Sequence, residues 1–351
     1  MSDQGLALLS PYLIPPALRG RKVVNLGDGF IVRAIERELG HTFPASAVFS
    51  PRVAPAPQDE EAMAQARRVV IGGANQLNDR YTVWPGLTAE RLRAGAWTFV
   101  PFGVGIHGDP GFNDGLSEES CRVLDVLHDR IAFSSWRCPH TVEYLARALP
   151  HRRDQFLMTG CAVAYGPQLL QGDRFLAAED SVAVTATDRN DFWDRETALV
   201  DAVAHRFPRA RKYFVVHQNF APPARFERLL HALGRGHASS DPVARLRAYA
   251  RSRGFEVVIP ADADACLRFY EGVDVHVGTR LHAHLLFLSR NRRSWLVPVD
   301  GRSAGMAEAF GFPLPAVADL PRHWDFDFEI VRRNARAIYP AMQKFTRTLQ
   351  T

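Results

Sequence analysis

Arg280 and His282 fall two residues apart in the run Gly278-Thr279-Arg280-Leu281-His282-Ala283. An arginine fork donates two parallel hydrogen bonds to a phosphate or a carboxylate. A histidine beside it gives or takes a proton near neutral pH. Leu281, Leu285 and Leu288 recur at helical spacing, so a helix entered at Thr279 or Arg280 is predicted, after a short strand from Asp274. Thr279 is the expected N-cap, and the free N–H groups and dipole of the first turn favour an anion. His284 lies about 200° round from His282 and falls outside that site. The run therefore reads as an anion clamp with a proton-transfer group. A buried strand–helix unit with a surface arginine would show the same local pattern.

Other polar residues stand at predicted strand ends. Lys22 to Asn25 reads as a strand running into Asn25-Leu26-Gly27-Asp28-Gly29, followed by a helix with Ile31, Ile35 and Leu39 on one face. Gly-x-Gly-x-x-Gly is absent, so this is not a dinucleotide fingerprint. Asn25 and Asp28 suit a polar ligand or the fixing of the turn. Arg67 to Ile71 is a β-branched strand ending in Gly72-Gly73-Ala74-Asn75-Gln76, where the glycines allow close backbone approach. Trp97 to Phe102 ends in Gly103-Val104-Gly105-Ile106-His107. In the second half, Ser181 to Thr187 leads to Arg189, and Tyr213 to Val216 leads to His217.

The elements that must hold these ends alternate strand and helix, which argues parallel sheets built of βαβ units. At 351 residues the chain fits two domains. Expected are an N-terminal α/β domain over 1–170, a C-terminal one over 171–327, and a last helix over 328–351 sent back onto the first. The turn residues of 166–173 mark the linker, and 1–20, with Pro11, Pro15 and Pro16, reads as an irregular lead-in. Strands are also expected over 129–133 and 155–158, with a helix from Ser134 to Leu149. Ligands of such open sheets bind at the carboxyl ends of strands. The loops at Asn25–Asp28, Gly72–Gln76 and Gly103–His107 would then face those at Arg189, His217 and Arg280–His282 across a cleft.

Hydrophobic residues make up 46% and charged residues 23%, the balance of a globular chain. The net charge of +5 comes from scattered arginines, which permits anionic substrates or an anionic membrane surface. No nucleic-acid signature is present. Cys121, Cys138, Cys161 and Cys266 form no Cys-x-x-Cys pair, so no metal site is expected and a reducing, cytoplasmic setting is. No cleavage pattern or membrane-spanning run is read from the sequence.

Gly278-Thr279-Arg280-Leu281-His282-Ala283, the Ser294–Val299 strand and Asp300-Gly301-Arg302 together resemble the C-terminal signature of the polysaccharide pyruvyl transferase family. The Asn25-Leu26-Gly27-Asp28 turn resembles that family's first turn, and the glycine-rich ends at 72–76 and 103–107 resemble its strand ends, with Ala74 interrupting the first glycine run. The resemblance spans roughly residues 22 to 312 and is thin between 110 and 180. It implies a GT-B-like α/β fold of two Rossmann-like parallel-sheet domains facing a cleft. It also implies transfer of the enolpyruvyl unit of phosphoenolpyruvate onto a sugar or lipid-linked saccharide as a ketal, with no cofactor. On it, His282 is the general acid or base. Arg280, Arg189, Thr279, Leu281 and His217 hold the donor, with Arg280 also stabilising departing phosphate. Asn25, Gly27, Asp28, Gly73, Asn75 and His107 face the acceptor, with His217 or Asp28 as a second proton acceptor. Asp300 and Arg302 would close the rim. Contact with the inner membrane face is compatible with the basic balance. A GT-B nucleotide-sugar glycosyltransferase would use the same arginine and helix terminus for a diphosphate, with Glu308 placed for a ribose. A non-catalytic protein binding anionic saccharides is a third reading, which the presence of His282 disfavours.

Overall fold

A computed structural model of the chain describes residues 5–15, 18, 24–107, 115–187, 190–219 and 242–350. The first half carries strands β1 (Leu6–Leu9), β2 (Val24–Asn25), β3 (Val48–Phe49), β4 (Arg68–Leu77), β5 (Phe99–Ile106), β6 (Ser134–Trp136) and β7 (Phe156–Met158). Its helices are α1 (Leu26–Leu39), α2 (Pro57–Gln65), α3 (Ala89–Ala94), α4 (Glu118–His128), α5 (Pro139–Ala148) and α6 (Pro167–Gln171). All of these strands except β2 form one parallel sheet in the order β3-β1-β4-β5-β6-β7. The direction of winding reverses between β1 and β4, and β4 and β5 read as continuous apolar runs because helices cover both faces.

The second half carries β8 (Ser181–Thr185), β9 (Arg211–Val215), β10 (Gln218–Asn219), β11 (Glu256–Val258), β12 (Val275–Gly278) and β13 (Ser294–Leu296). Its helices are α7 (Trp193–Arg206), α8 (Pro242–Ser252), α9 (Ala263–Glu271), α10 (Leu281–Ser289), α11 (Arg302–Phe310) and α12 (Glu329–Gln350). The sheet order is β11-β9-β8-β12-β13, all parallel, which is the Rossmann order with its switch point between β8 and β12. The fold is thus α/β, with two Rossmann-like parallel-sheet domains facing a cleft in the GT-B-like manner. At the second switch point Gly278 is required by contact. A Cβ there would fall on the Thr185 hydroxyl and backbone of the neighbouring strand.

Three local expectations are corrected. Residues 6–9, read as lead-in, form β1, an interior strand of the first sheet between β3 and β4; Ala7, Leu8 and Leu9 are buried while the prolines only follow them. The described part of the strand expected at Lys22–Asn25, β2, does not enter that sheet; it pairs antiparallel with β10 of the second half and so ties the domains together. The strand expected at 129–133 lies at 134–136, and its helix starts five residues later than expected, at Pro139. The 166–173 stretch expected as linker is ordered. Gly166 packs against the Ser289 carbonyl and α6 follows it.

The long α12 contacts both halves. Arg332 bonds Asn291 of the second domain, whereas Tyr339 reaches Glu38, Phe345 packs edge-on against Phe102, and Arg67 donates to the Leu349 carbonyl. Among the described residues no helix is long and apolar enough to cross a membrane.

Candidate active site

Three helices start at one place. α1 begins after Asn25, α10 after Arg280 and α11 after Gly301, and all three starts line a cleft between the domains. First-turn N–H groups lack intrahelical acceptors and carry the positive end of the dipole, so their convergence makes an anion site. The cleft has an inner part of about 50 Å³ and an adjoining outer part of about 380 Å³. His282, Asn25, Asp300 and Arg302 line both parts.

Each start is fixed by its own sequence. Asn25 Oδ1 accepts from the Gly27 N–H at 3.2 Å, and its Nδ2 donates to Asp28 Oδ1 at 3.1 Å, so this pair fixes the turn. The Leu26 N–H donates to the His217 carbonyl, which locks α1 onto the second domain. At α10 the expected Thr279 cap is replaced. Arg280 is the N-cap residue and its side chain makes no capping bond, and the Thr279 hydroxyl is buried without a protein partner. Strand β12 continues through Gly278, and the Thr279 N–H is drawn to the Thr185 carbonyl, which takes the residue out of capping position. Arg280 Nε donates to the Ala186 carbonyl at 2.9 Å and anchors the guanidinium beside the end of β8. At α11, Arg302 grips Asp300 through two nitrogens, with Nε 2.7 Å from Oδ1, in a paired rim.

His282 sits with its Nδ1 3.0 Å from where a Gly27 Cβ would be, so only glycine lets α1 approach it this closely. Its Nε2 is buried without a protein partner. Burial, with Arg137 and Arg302 adding repulsion, pulls its pKa from 6.5 down to about 3. Burial pushes the Asp28 carboxyl up to about 6, against the pull of Arg52, Arg302 and Arg280. The cleft therefore holds a neutral imidazole and a carboxyl that titrates near neutral pH, two groups driven apart by their surroundings. His217 gives its Nε2 to the Tyr270 hydroxyl at 2.6 Å and leaves Nδ1 unpaired; burial, then Arg280, lowers its pKa well below the usual value.

Of the expected residues, Asn25, Gly27, His217, Thr279, Arg280, Leu281 and His282 line the inner part, and Asp28, Asn75 and His107 line the outer part. Gly73 lines neither. It faces Ile31 of α1, where a Cβ would meet the Ile31 side chain at 2.5 Å, so its role is packing. Arg189 lies outside the described residues. Glu308 pairs with His140 of the first domain at 2.5 Å and does not line the cleft. Among the described residues no group of three His, Cys, Asp or Glu could hold a metal ion.

Sequence reasoning missed three residues. Thr187 lines the inner cleft with its N–H and hydroxyl both bonded to the buried Glu196, and Ser303 stands in the first turn of α11. Arg137, immediately after β6, is 1% exposed, and none of its three guanidinium nitrogens meets a protein acceptor. A charged residue at the carboxyl end of a parallel strand is the signal that would have pointed to it, once β6 is placed at 134–136.

No protein family matches the sequence, and no curated protein matches it. Among solved structures, the chain is similar to S. aureus MnaA in a co-structure with UDP, at 10% identity over 97% of this chain and 94% of that one, with a TM-score of 0.49. It is similar to the wall teichoic acid polymerase TagF at 9% identity over 100% and 89%, with a TM-score of 0.45. It is also similar to a structure of accessory secretory protein 1, 2 and 3 from Streptococcus pneumoniae at 11% identity, with a TM-score of 0.43. There 96% of this chain is covered but only 59% of the other, so the chain spans less than two thirds of that structure's length.

Proposed function

We propose that the chain is a transferase that moves a group from a phosphate-bearing donor onto a saccharide hydroxyl, and that the donor is phosphoenolpyruvate. The observation that carries this is the convergence of three helix starts with Arg280 and Arg302 around the unpaired nitrogen of His282. Such a site suits a small ligand with more than one negative group. The resemblance of the 278–302 stretch to the pyruvyl transferases points to the same donor.

In this reading the phosphate lies against the α10 first turn and Arg280. The protonated Asp28 carboxyl gives its proton to the methylene carbon of the donor, and neutral His282 takes the proton of the attacking sugar hydroxyl. The carbon–oxygen bond to phosphate breaks, with the leaving charge held by Arg280 and the helix N–H groups. His282 returns its proton to phosphate. A second hydroxyl closes the ketal and returns its proton to Asp28. Two hydroxyl protons are consumed, one into the new methyl group and one into hydrogen phosphate, so the step balances. No redox group is required. The saccharide, free or lipid-linked, occupies the outer cleft beside Asn75 and His107. The four unpaired thiols fit a reducing, cytoplasmic setting, and the basic balance fits approach to an anionic membrane surface.

Nucleotide-sugar transfer is the second reading. The outer cleft favours it, since at about 380 Å³ it is roomier than the inner part. The pairing of Glu308 with His140 removes the carboxylate expected for a ribose. The test is turnover with phosphoenolpyruvate and a panel of free and lipid-linked sugars, following phosphate release and ketal formation. Loss of at least ~100-fold in Arg280→Ala and His282→Ala is expected. Stabilisation by UDP with none by phosphoenolpyruvate would instead establish the second reading.

A further inference from the structure

Arg137 has no structural reason to be where it is. The residue is 1% exposed, and Nε, Nη1 and Nη2 are all buried with no protein acceptor. A buried charge is retained in a fold only when something pairs with it. The protein has nevertheless made room for this one. Gly105, on the adjacent strand β5, lacks the Cβ that would land on the guanidinium. The Arg137 N–H is bonded to the Val104 carbonyl, so the backbone that presents the side chain is held firmly.

Arg137 lies behind the cleft wall rather than in its lining, close enough to His282, Arg302 and Asp300, which do line it, for their charges to interact. Burial is the largest influence on its charge, and the charged side chains acting on it include Arg302 and Asp300 of the second domain. Arg137 in turn acts on His282. Asp300 is fully engaged by Arg302 and so is not its partner. Gly305 of α11 packs on Cys138, the residue after Arg137, which brings α11 against the end of β6.

We propose that Arg137 is an anion-binding residue contributed by the first domain, whose missing partner is a carboxylate or phosphate group of the bound substrate. Its planar fork meets either oxyanion with two parallel hydrogen bonds. Arg280 and the α10 start come from the second domain, so an anion held by both ties the domains together across the cleft. The assignment of the oxyanion to a small phosphorylated acid rests on the pyruvyl-transfer reading; the role of Arg137 itself does not.

The experiment compares the full chain with Arg137→Met and Arg137→Lys, measuring melting temperature and calorimetric affinity with inorganic phosphate, pyruvate, phosphoenolpyruvate and UDP. Binding of phosphoenolpyruvate is expected to weaken about tenfold or more in Arg137→Met, while the melting temperature without ligand is no lower than that of the wild type. Arg137→Lys keeps the charge but loses the fork and is expected to bind between the two. Loss of the pyruvate response alone assigns the carboxylate to Arg137; loss of the phosphate response alone assigns the phosphate. If the wild type answers to UDP and not to phosphoenolpyruvate, the donor reading fails, and a tenfold loss of UDP affinity in Arg137→Met still supports the inference. Unchanged affinity in that variant overturns it. So does a Met variant that melts lower or fails to fold, because the charge would then serve the protein itself. A wild type that binds none of the four anions overturns it as well.

Discussion

Arg332 and Arg137 are both buried guanidiniums, 2% and 1% exposed, in two regions of one molecule. Arg332 lies in the junction where α12 meets the second domain. It donates to Glu329 at 2.7 Å and to Asn291 at 2.9 Å, and stands 5.1 Å over the Phe175 ring. Arg137 lies under the cleft and makes no such bond. The histidines repeat the contrast. His276 uses both nitrogens, on the Thr185 and Ser294 hydroxyls at 2.8 Å each, whereas His282 and His217 each keep a buried nitrogen unpaired at the cleft wall. Burial alone therefore does not separate framework from site. The extent of pairing is the sharper signal: single unpaired atoms also occur away from the cleft, at Arg332 Nε, His284 Nε2 and the Tyr81 hydroxyl, whereas Arg137 lacks an acceptor at all three guanidinium nitrogens.

The largest expected effect sharpens what the two regions share. Burial pulls the pKa of His128 down to about 4 and of His276 and His282 to about 3. The unfolded chain protonates these rings below about 6.5, while the folded chain keeps them neutral. Their contribution is whole above that pH and is lost as pH falls, by about 2 kcal/mol for each ring between pH 6.5 and 5. Asp28 runs the other way. Its carboxyl, raised to about 6, stays protonated when folded, so its contribution is present at low pH and fades as pH rises from about 4 to 6. One carboxyl offsets only part of three rings. Denaturation midpoints should fall steeply from pH 7 to pH 5, and His276→Gln should flatten the slope by about one proton. A midpoint that stays level over this range would contradict the neutral buried rings.

Next in size is the junction arginine. Arg332→Met leaves Asn291 and Glu329 without their donor and should lower stability by about 3 kcal/mol, since breaking a buried pair strands its partner. Arg137→Met should lower it by nothing. Urea denaturation of both variants measures the difference directly, and equal losses would dissolve the distinction between the two regions.

A smaller effect separates the histidines. An anion beside His282 favours its charged form, so inorganic phosphate or phosphoenolpyruvate should raise its pKa by about one unit or more. His276, shielded beneath the cleft and bonded at both nitrogens, should not move. Proton NMR titration of the ring signals with and without ligand reads both at once. Equal movement of both rings would point to a general change of fold rather than an anion in the cleft.

The sequence makes the strand–helix alternation and the Arg280–His282 turn readable because each is local. Leucines at helical spacing mark α10, and Asn25 with Asp28 marks the α1 start. Arg137 is hidden because its burial is not local. Gly105 of the neighbouring strand leaves the room that its guanidinium fills. Strand β6 is also misplaced by its own chemistry. The Ser135 hydroxyl in its interior accepts from the Gly103 N–H and bonds the Thr159 hydroxyl, so a strand that looks polar is buried, while the more apolar 131–133 is not its core. With β6 shifted, Arg137 falls into a predicted helix and reads as surface. The capping of α10 is misread for a related reason, since pairing to Thr185 of the neighbouring strand takes Thr279 before the helix can use it.

The smallest expected effect concerns the cleft wall itself. Ala74 has φ of 76°, the left-handed region that favours glycine, next to an irregularity in the β4–β5 pairing between Ala74 and Leu77. The sequence shows the position as an interruption of the glycine run at 72–73, and the backbone shows its consequence. Holding a side chain in this conformation costs about 1 kcal/mol, which Ala74→Gly would relieve against a similar loss of chain entropy. The net change in stability should therefore be within about 0.5 kcal/mol of zero. Saccharide affinity is the more telling quantity, because Ala74 lines the outer cleft with Asn75 and His107. A strained wall that positions the acceptor would lose affinity in Ala74→Gly at nearly constant stability. If both affinity and stability stay at the wild-type values, the strain is local to the bulge and the outer cleft owes its shape to the flanking strands alone.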